Sequence, residues 1–294
     1  MQCRVQPRWL RSALLVCLLF TPVTVIAQED PVRKELQRIE QELEARIGFA
    51  AHDLATGQRW EVNADQRFAM SSTFKTLACG ALLQRVDNGQ EQLETEVSFS
   101  SSDLVTHSPV TEQYADQQSM SLFELCEATM TTSDNTAANL VLQALGGPET
   151  ITQFASSLGD PITRLDRWET ELNEAQPGDE RDTTTPNAML ANLEQLVLGD
   201  VLSPDAKRQL QEWMIGNAVA DGLFRAAMPS DWVIADRTGA GGFGSRSITA
   251  IIWPPEREPM VVAFYITETD ASFEDRNAAI ASLGRVIQET LAAN

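Results

Sequence analysis

The sequence predicts an α/β fold of the α+β kind: one sheet completed by both ends of the chain, with a helical region inserted between them. Three observations predict it. Strand-like runs cluster near both ends, "FAAHDLATGQRWEV" at 49–62 and "DWVIADRTGAG", "GSRSITAIIWP" and "PMVVAFYITET" between 231 and 269. The stretch between them carries apolar residues at helical spacing. The chain has 294 residues, 43% hydrophobic and 22% charged, which suits a soluble globular protein of one or two domains.

Taken in order, residues 1–27 read as an export signal. Arg4, Arg8 and Arg11 precede an apolar run at 13–20, and "VIA" at 25–27 offers a small-residue cleavage site. That run is too short for a membrane anchor, which needs about 18 apolar residues in a row. A lipoprotein site at Cys17 is disfavoured by the large Val16 before it and the apolar residues after it. Residues 29–48 read as a helix, with Leu36, Ile39, Leu43 and Ile47 on one face, Pro31 in the first turn and Gly48 at the end. Two short strands follow around a turn at Thr56–Gly57. A largely buried helix is expected at 72–86 and further helices at 122–131, 136–144, 150–158, 185–198 and 204–217. Several of them begin at or just after Ser, Thr or Asp, as capped helices do. Between them, 159–186 is a long, charged, weakly periodic loop, and loops of that length are usually functional or disordered. The three late strands come next, and a helix at 271–293 closes the chain.

Composition excludes several functions. Net charge is −20, and −23 once residues 1–27 and their three arginines are removed. Such a chain is a poor partner for nucleic acid. Two histidines, His52 and His107, are too few for a typical catalytic zinc site, and neither sits in a recognisable serine–histidine setting. Beyond the signal, only Cys79 and Cys126 remain. In an exported, oxidising setting they read as one disulfide, the alternative being two buried thiols.

Four stretches carry residues suited to chemistry, and each has an ordinary structural reading beside it. "STFK" places Lys75 one turn after Ser72, on one helix face. A serine hydroxyl needs a group to take its proton, yet S-x-x-K is also a capped helix start. "TTSDNTAAN" opens an apolar helix with Ser133, Asp134 and Asn135. Asp134 suits an N-cap; Ser133 could relay a proton and Asn135 could donate to a substrate amide. "RWETELN" sets Glu169 and Asn173 four apart, able to hold one water between them, in a loop that Arg167 and Asp182 could pin by an ion pair. A solvated loop carboxylate is the alternative. "DRTGAGGFGSR" offers Arg237, Thr238, Gly239, Ala240 and Arg246: glycines that let backbone approach a ligand, and guanidinium groups that fork onto a carboxylate. It also reads as a Gly-rich turn with solvated arginines.

Together, in one order and with these spacings, the four stretches are close to the S-x-x-K, S-D-N and K-T-G signature of class A β-lactamases and penicillin-binding proteins. The chain resembles a class A β-lactamase over nearly all its length after the signal, through "STFK", "SPVTE", "CEATMTTSDNTAANL", "RWETELNEA", "DERDTTTP" and "GSRSITA". Arg237 stands where the family usually has lysine, which resembles the carbenicillin-hydrolysing subgroup, as does "GAGGFG". His107 stands where an aromatic residue often gates the site.

The resemblance implies a β-lactamase and penicillin-binding-protein transpeptidase-like fold, an antiparallel sheet flanked by helices plus an all-helical subdomain. The expected division is 28–66 with 215–294 as the α/β part and 67–214 as the helical part, including the loop 161–182. It implies Ser72 as nucleophile, Glu169 through a water held by Asn173, or else Lys75, as its base, and Ser133 as proton relay. Backbone N–H groups of Ser72 and Ala240 would form the oxyanion hole. Asn135 would bind the side-chain amide of the drug, and Arg237, Thr238, Gly239 and Arg246 its carboxylate, with His107 at the rim. It pairs Cys79 with Cys126 and implies no metal or cofactor. The implied partners are β-lactam antibiotics alone, with no nucleic acid and no stable membrane association, for a periplasmic monomer. A D-alanyl-D-alanine peptidase or an acylated β-lactam sensor is the alternative; Glu169 and Asn173 oppose both, because rapid deacylation needs a positioned base.

Overall fold

Asp30 caps the first helix, its carboxylate accepting from the N–H groups of Val32 and Arg33. This helix, α1 (Pro31–Glu42), stops six residues short of the expected Gly48. The computed structural model describes residues 1–4, 30–116 and 119–293. The expected export signal therefore lies outside the described residues apart from its first four. After α1 the chain turns through Glu44, at φ 46°, and enters β1 (Arg46–Asp53). Helical spacing of Leu43 and Ile47 gave way here to sheet pairing: β1 is hydrogen-bonded on both sides, to β2 (Gln58–Val62) and to β9 (Met260–Thr267). Gly48 is thus a strand residue, and a Cβ there would lie 2.2 Å from the Phe68 ring.

The sheet has the order β2-β1-β9-β8-β7, all antiparallel, with β7 (Val233–Ala240) and β8 (Arg246–Trp253) supplied by the late part of the chain. Both faces are covered. On β9, Met260, Val262, Phe264 and Ile266 pack with Leu36 and Ile39 of α1 and Ile280, Leu283 and Ile287 of α8 (Phe273–Ala293). The alternate residues Val261, Ala263 and Tyr265 join the core of the helical region on the other face. A strand buried on both faces reads as an unbroken apolar run, as "MVVAFYI" does.

The helical region is built around α2 (Phe74–Asp87), buried from Phe74 to Leu83. Around it lie α3 (Leu122–Thr131), α4 (Asn135–Leu145), α5 (Glu149–Ser157), α6 (Pro186–Leu193) and α7 (Pro204–Ile215). The expected helix at 185–198 changes hydrogen-bond register after Leu193 and ends as a π-helical turn, Glu194–Leu198. Cys79 and Cys126 form a disulfide joining α2 to α3, Cα atoms 5.9 Å apart. Small ladders, absent from the sequence reading, join β3 (Phe68–Ala69) to β6 (Thr183–Thr184) and β4 (Glu96–Ser98) to β5 (Ser119–Ser121). The first ties the end of the long loop to the strand leading into Ser72.

Candidate active site

Ser72 lies in a short 3-10 turn, Ser71–Thr73, that runs into α2. Strand β7 packs close beside it: a Cβ on Gly239 would come 2.8 Å from the Met70 carbonyl and 2.5 Å from Ser247 Oγ. Only glycine lets the two backbones approach this closely. A cleft of about 430 Å³ opens between them. Ser72, His107, Ser133, Asn135 and Asn173 line it from the helical side, and Thr238, Gly239, Ala240 and Arg246 from the sheet side. A larger hollow of about 790 Å³ lies between α1 and α8 and contains none of these residues. Size therefore does not mark the site.

Lys75 is wholly buried beneath Ser72. It donates to Ser133 O at 2.9 Å, to Ser133 Oγ at 3.2 Å and to Asn135 Oδ1 at 2.7 Å. Ser133 Oγ in turn donates to Ser72 Oγ at 3.1 Å. Ser133 takes a left-handed backbone, φ 65°, between α3 and Asp134. Asp134 is the cap of α4, accepting from Ala137 N at 2.8 Å, and its other oxygen holds Val110 N and Thr111 N. Among the described residues Lys75 makes no hydrogen bond to Ser72; their link runs through Ser133. Burial pulls the Lys75 ammonium down to about 8, opposed by Glu169 and reinforced by the Arg237 charge.

Glu169 is buried, with Oε1 3.3 Å from Lys75 Nζ. Asn173 Nδ2 donates to Glu169 Oε2 at 2.5 Å. Glu169 Oε1 and Asn173 Oδ1 accept no hydrogen bond from the protein. The loop carrying Glu169 is held at its neck: Asp182 accepts from Arg167 Nε at 2.6 Å and from the N–H groups of Asp166 and Arg167. Asn139 was missed by the sequence reading. It clamps the Glu169 backbone both ways, Nδ2 to the carbonyl and Oδ1 from the N–H, each at 2.9 Å. Its signal was present in "SDNTAAN", one helical turn after Asn135.

Arg237 departs from its expected place. Its guanidinium has no exposed surface and does not line the cleft. Nη1 reaches Asn217 Oδ1 at 3.4 Å, and Nε and Nη2 make no hydrogen bond to the protein. Behind it Asp236 pairs with Arg225 at 2.8 Å and accepts from Asn217 Nδ2 at 2.7 Å. Burial raises the Asp236 carboxyl above the usual range, against the pull of Arg225. Arg246, at the cleft wall, donates to Gly239 O at 2.9 Å and to Asn277 Oδ1 at 2.7 Å. Asn217 and Asn277 carry no motif, so nothing in the sequence marks them as supports. Burial pulls both Arg237 and Arg246 down to about 10, which leaves them cationic at neutral pH. The cleft is a positive spot on an acidic molecule, suited to an anionic ligand.

Comparison with known proteins agrees with this geometry. The profile of the Beta-lactamase enzyme family matches residues 31–291. Beta-lactamase AER-1 of Aeromonas hydrophila is 47% identical over 96% of this chain and 93% of its own length. Beta-lactamase CARB-4 of Pseudomonas aeruginosa is 47% identical over 94% and 96%. Among solved structures, an ancestral class A β-lactamase superposes with TM-score 0.86 at 49% identity, covering 88% of this chain and 99% of that one. The chromosome-encoded β-lactamase of Vibrio parahaemolyticus gives 0.87 at 43% identity, covering 90% and 100%. A buried lysine that pairs with a buried glutamate and reaches the serine through Ser133, in a chain similar to these proteins over most of its length, leaves one conclusion: the chain belongs to the class A β-lactamase family and hydrolyses the β-lactam ring.

Proposed function

We propose that the chain hydrolyses penicillins, carboxypenicillins included, through an acyl-enzyme on Ser72. The observation that carries the assignment is the pair Glu169–Asn173. Their direct hydrogen bond leaves one buried oxygen on each: Asn173 Oδ1 accepts no hydrogen bond, and Glu169 Oε1 has only the ion pair with Lys75 Nζ at 3.3 Å. Two such acceptors side by side are the place for a water that donates to both, the general-base arrangement deacylation needs. Glu169, through that water, takes the Ser72 proton as the serine attacks the carbonyl carbon and the oxyanion forms. The N–H groups of Ser72 and Ala240 receive that oxyanion. Collapse breaks the carbon–nitrogen bond of the ring, and Ser133 delivers the proton to the departing nitrogen.

Lys75 serves as the cation that recharges Ser133 in this account. Its protons point at Ser133 and Asn135, and with a pKa of about 8 it is mostly charged at neutral pH. Glu169 passes the proton it took from Ser72 to the now neutral Lys75, 3.3 Å away, and as a carboxylate again activates water against the acyl-enzyme carbonyl; Ser72 regains its proton and penicilloate leaves. Thr238 and Arg246 hold the drug carboxylate, Asn135 its acylamide. Arg237, fully buried, acts through its charge, which is felt by Lys75 and Glu169, and Thr238 and Arg246 touch the ligand. These roles call for no metal or cofactor. We take the division at residues 66 and 215 as the boundary of the two subdomains, and the chain as an exported, periplasmic monomer. The signal-like start supports export, and among the described residues no helix is long and apolar enough to cross a membrane.

Steady-state kinetics test the substrate range. Carbenicillin should be turned over within about tenfold of benzylpenicillin in kcat/KM, a margin of about 1.4 kcal/mol in the barrier. A rate a thousandfold lower would remove carboxypenicillins from the range and leave the penicillinase assignment standing.

A further inference from the structure

Phe273, the first residue of α8, is a large apolar side chain left half in solvent. It is 51% exposed at the wall of the cleft and belongs to neither hydrophobic core. Core packing therefore does not account for its place. What its ring meets is charge. The guanidinium carbon of Arg246 lies over the ring, 5.0 Å from its centroid, and that of Arg276 lies 5.6 Å from it. A cation is drawn to the negative face of an aromatic ring within roughly 6 Å of the centroid.

Arg246 needs such a support. It is buried, and its hydrogen bonds go to neutral acceptors, Gly239 O at 2.9 Å and Asn277 Oδ1 at 2.7 Å. Arg276 likewise donates to the carbonyls of Ser272 and Ser245, at 3.2 and 3.3 Å. Among the described residues neither pairs with a carboxylate, in a chain with 42 acidic side chains, and the Arg276 charge repels that of Arg246. A carboxylate between the two guanidinium groups would hold them more strongly than a ring does. It would also cancel their charge and compete with an anionic ligand. A ring face attracts the cation and leaves its charge to act on the cleft.

The inference rests on the reading above in which Arg246 holds the drug carboxylate. We propose that Phe273 is a positioning residue for this reaction: its ring holds the Arg246 guanidinium in place, with its charge intact, for the carboxylate of the β-lactam. The ring acts through Arg246 and needs no contact with the drug.

The test is the ratio of kcat/KM for benzylpenicillin to that for its methyl ester, in the wild type, Phe273→Leu and Phe273→Tyr. The ester keeps the β-lactam ring and the acylamide and lacks the carboxylate charge. A change in folded fraction or in the chemistry at Ser72 cancels in the ratio; a displaced Arg246 does not. Leucine is apolar without a ring face, and tyrosine keeps the face. We expect Phe273→Leu to lower the ratio roughly twofold to fivefold, the strength of a cation–π contact at a partly exposed site, and Phe273→Tyr to keep the wild-type ratio. An unchanged ratio in Phe273→Leu, or an equal fall in Phe273→Tyr, overturns the proposal. Arg246→Ala, in the same two assays, tests the reading beneath it. A fall in its ratio upholds Arg246 as the carboxylate site whatever Phe273 does; an unchanged ratio removes that reading and the proposal with it.

Discussion

Lys75 is the residue whose sequence context was most informative and whose geometry was least expected. One turn after a serine, it invited the reading of a base acting on Ser72 directly. In the folded chain its hydrogen bonds go to Ser133 and Asn135, its ion pair to Glu169, and among the described residues it is Ser133 whose hydroxyl bonds Ser72 Oγ. An i, i+3 spacing fixes a shared helix face but not where a flexible ammonium points. The account makes it a cation at work, and burial lowers its pKa from 10.5 to about 8. Single-turnover acylation should therefore hold level below pH 8 and fall above it as the ammonium is lost. A rate that climbs through pH 8 would instead make neutral Lys75 the base. The same shift has a sign for stability. Between pH 8 and 10.5 the unfolded chain binds the proton more readily than the folded one, so the cost of burying this cation is relieved as pH rises through that window. Arg237 teaches a related lesson: its place in "RTG" was legible, but its full burial was not, because its hydrogen-bond partner Asn217 comes from a separate segment of the chain.

Elements were legible where a local signal was strong. The buried strands, the capped helices and the long loop all stood in the sequence. The first helix was drawn too long because Leu43 and Ile47 continue its periodicity, and only pairing with β2 and β9 reveals that Ile47 belongs to a strand. The short ladder between β3 and β6 could not be read, since two residues carry no periodicity. Asn139, on α4, holds the loop by the backbone of Glu169. Asn139→Ala should slow deacylation roughly tenfold to a hundredfold, the worth of two buried hydrogen bonds, and acylation less; pre-steady-state kinetics with benzylpenicillin separate the two. The disulfide between α2 and α3 spans 47 residues. Replacing both cysteines by alanine should cost roughly 2–4 kcal/mol in urea unfolding while leaving turnover of the folded fraction unchanged. No loss of stability would show that the packing of α2 suffices without the bond.

At the scale of the whole molecule, the site is a seam. Ser72 and Lys75 begin the central helix, Ser133 and Asn135 open α4, Glu169 comes from the loop, and Thr238 to Arg246 from the sheet edge. Each contributor was visible as a short motif, and the order of the motifs carried the family resemblance. What joins them was not visible, because Asn217, Asn277 and Asn139 act through contacts between segments distant in the chain. The central claim is that these parts run a serine acyl-enzyme cycle in which Glu169 governs release. The most direct measurement is mass spectrometry of the wild type and of Glu169→Gln mixed with benzylpenicillin, with drug absorbance followed in parallel. The account predicts many turnovers with little adduct in the wild type, and in the variant one drug mass retained on the peptide containing Ser72. Normal turnover by Glu169→Gln, or a stable adduct on the wild type, would contradict it.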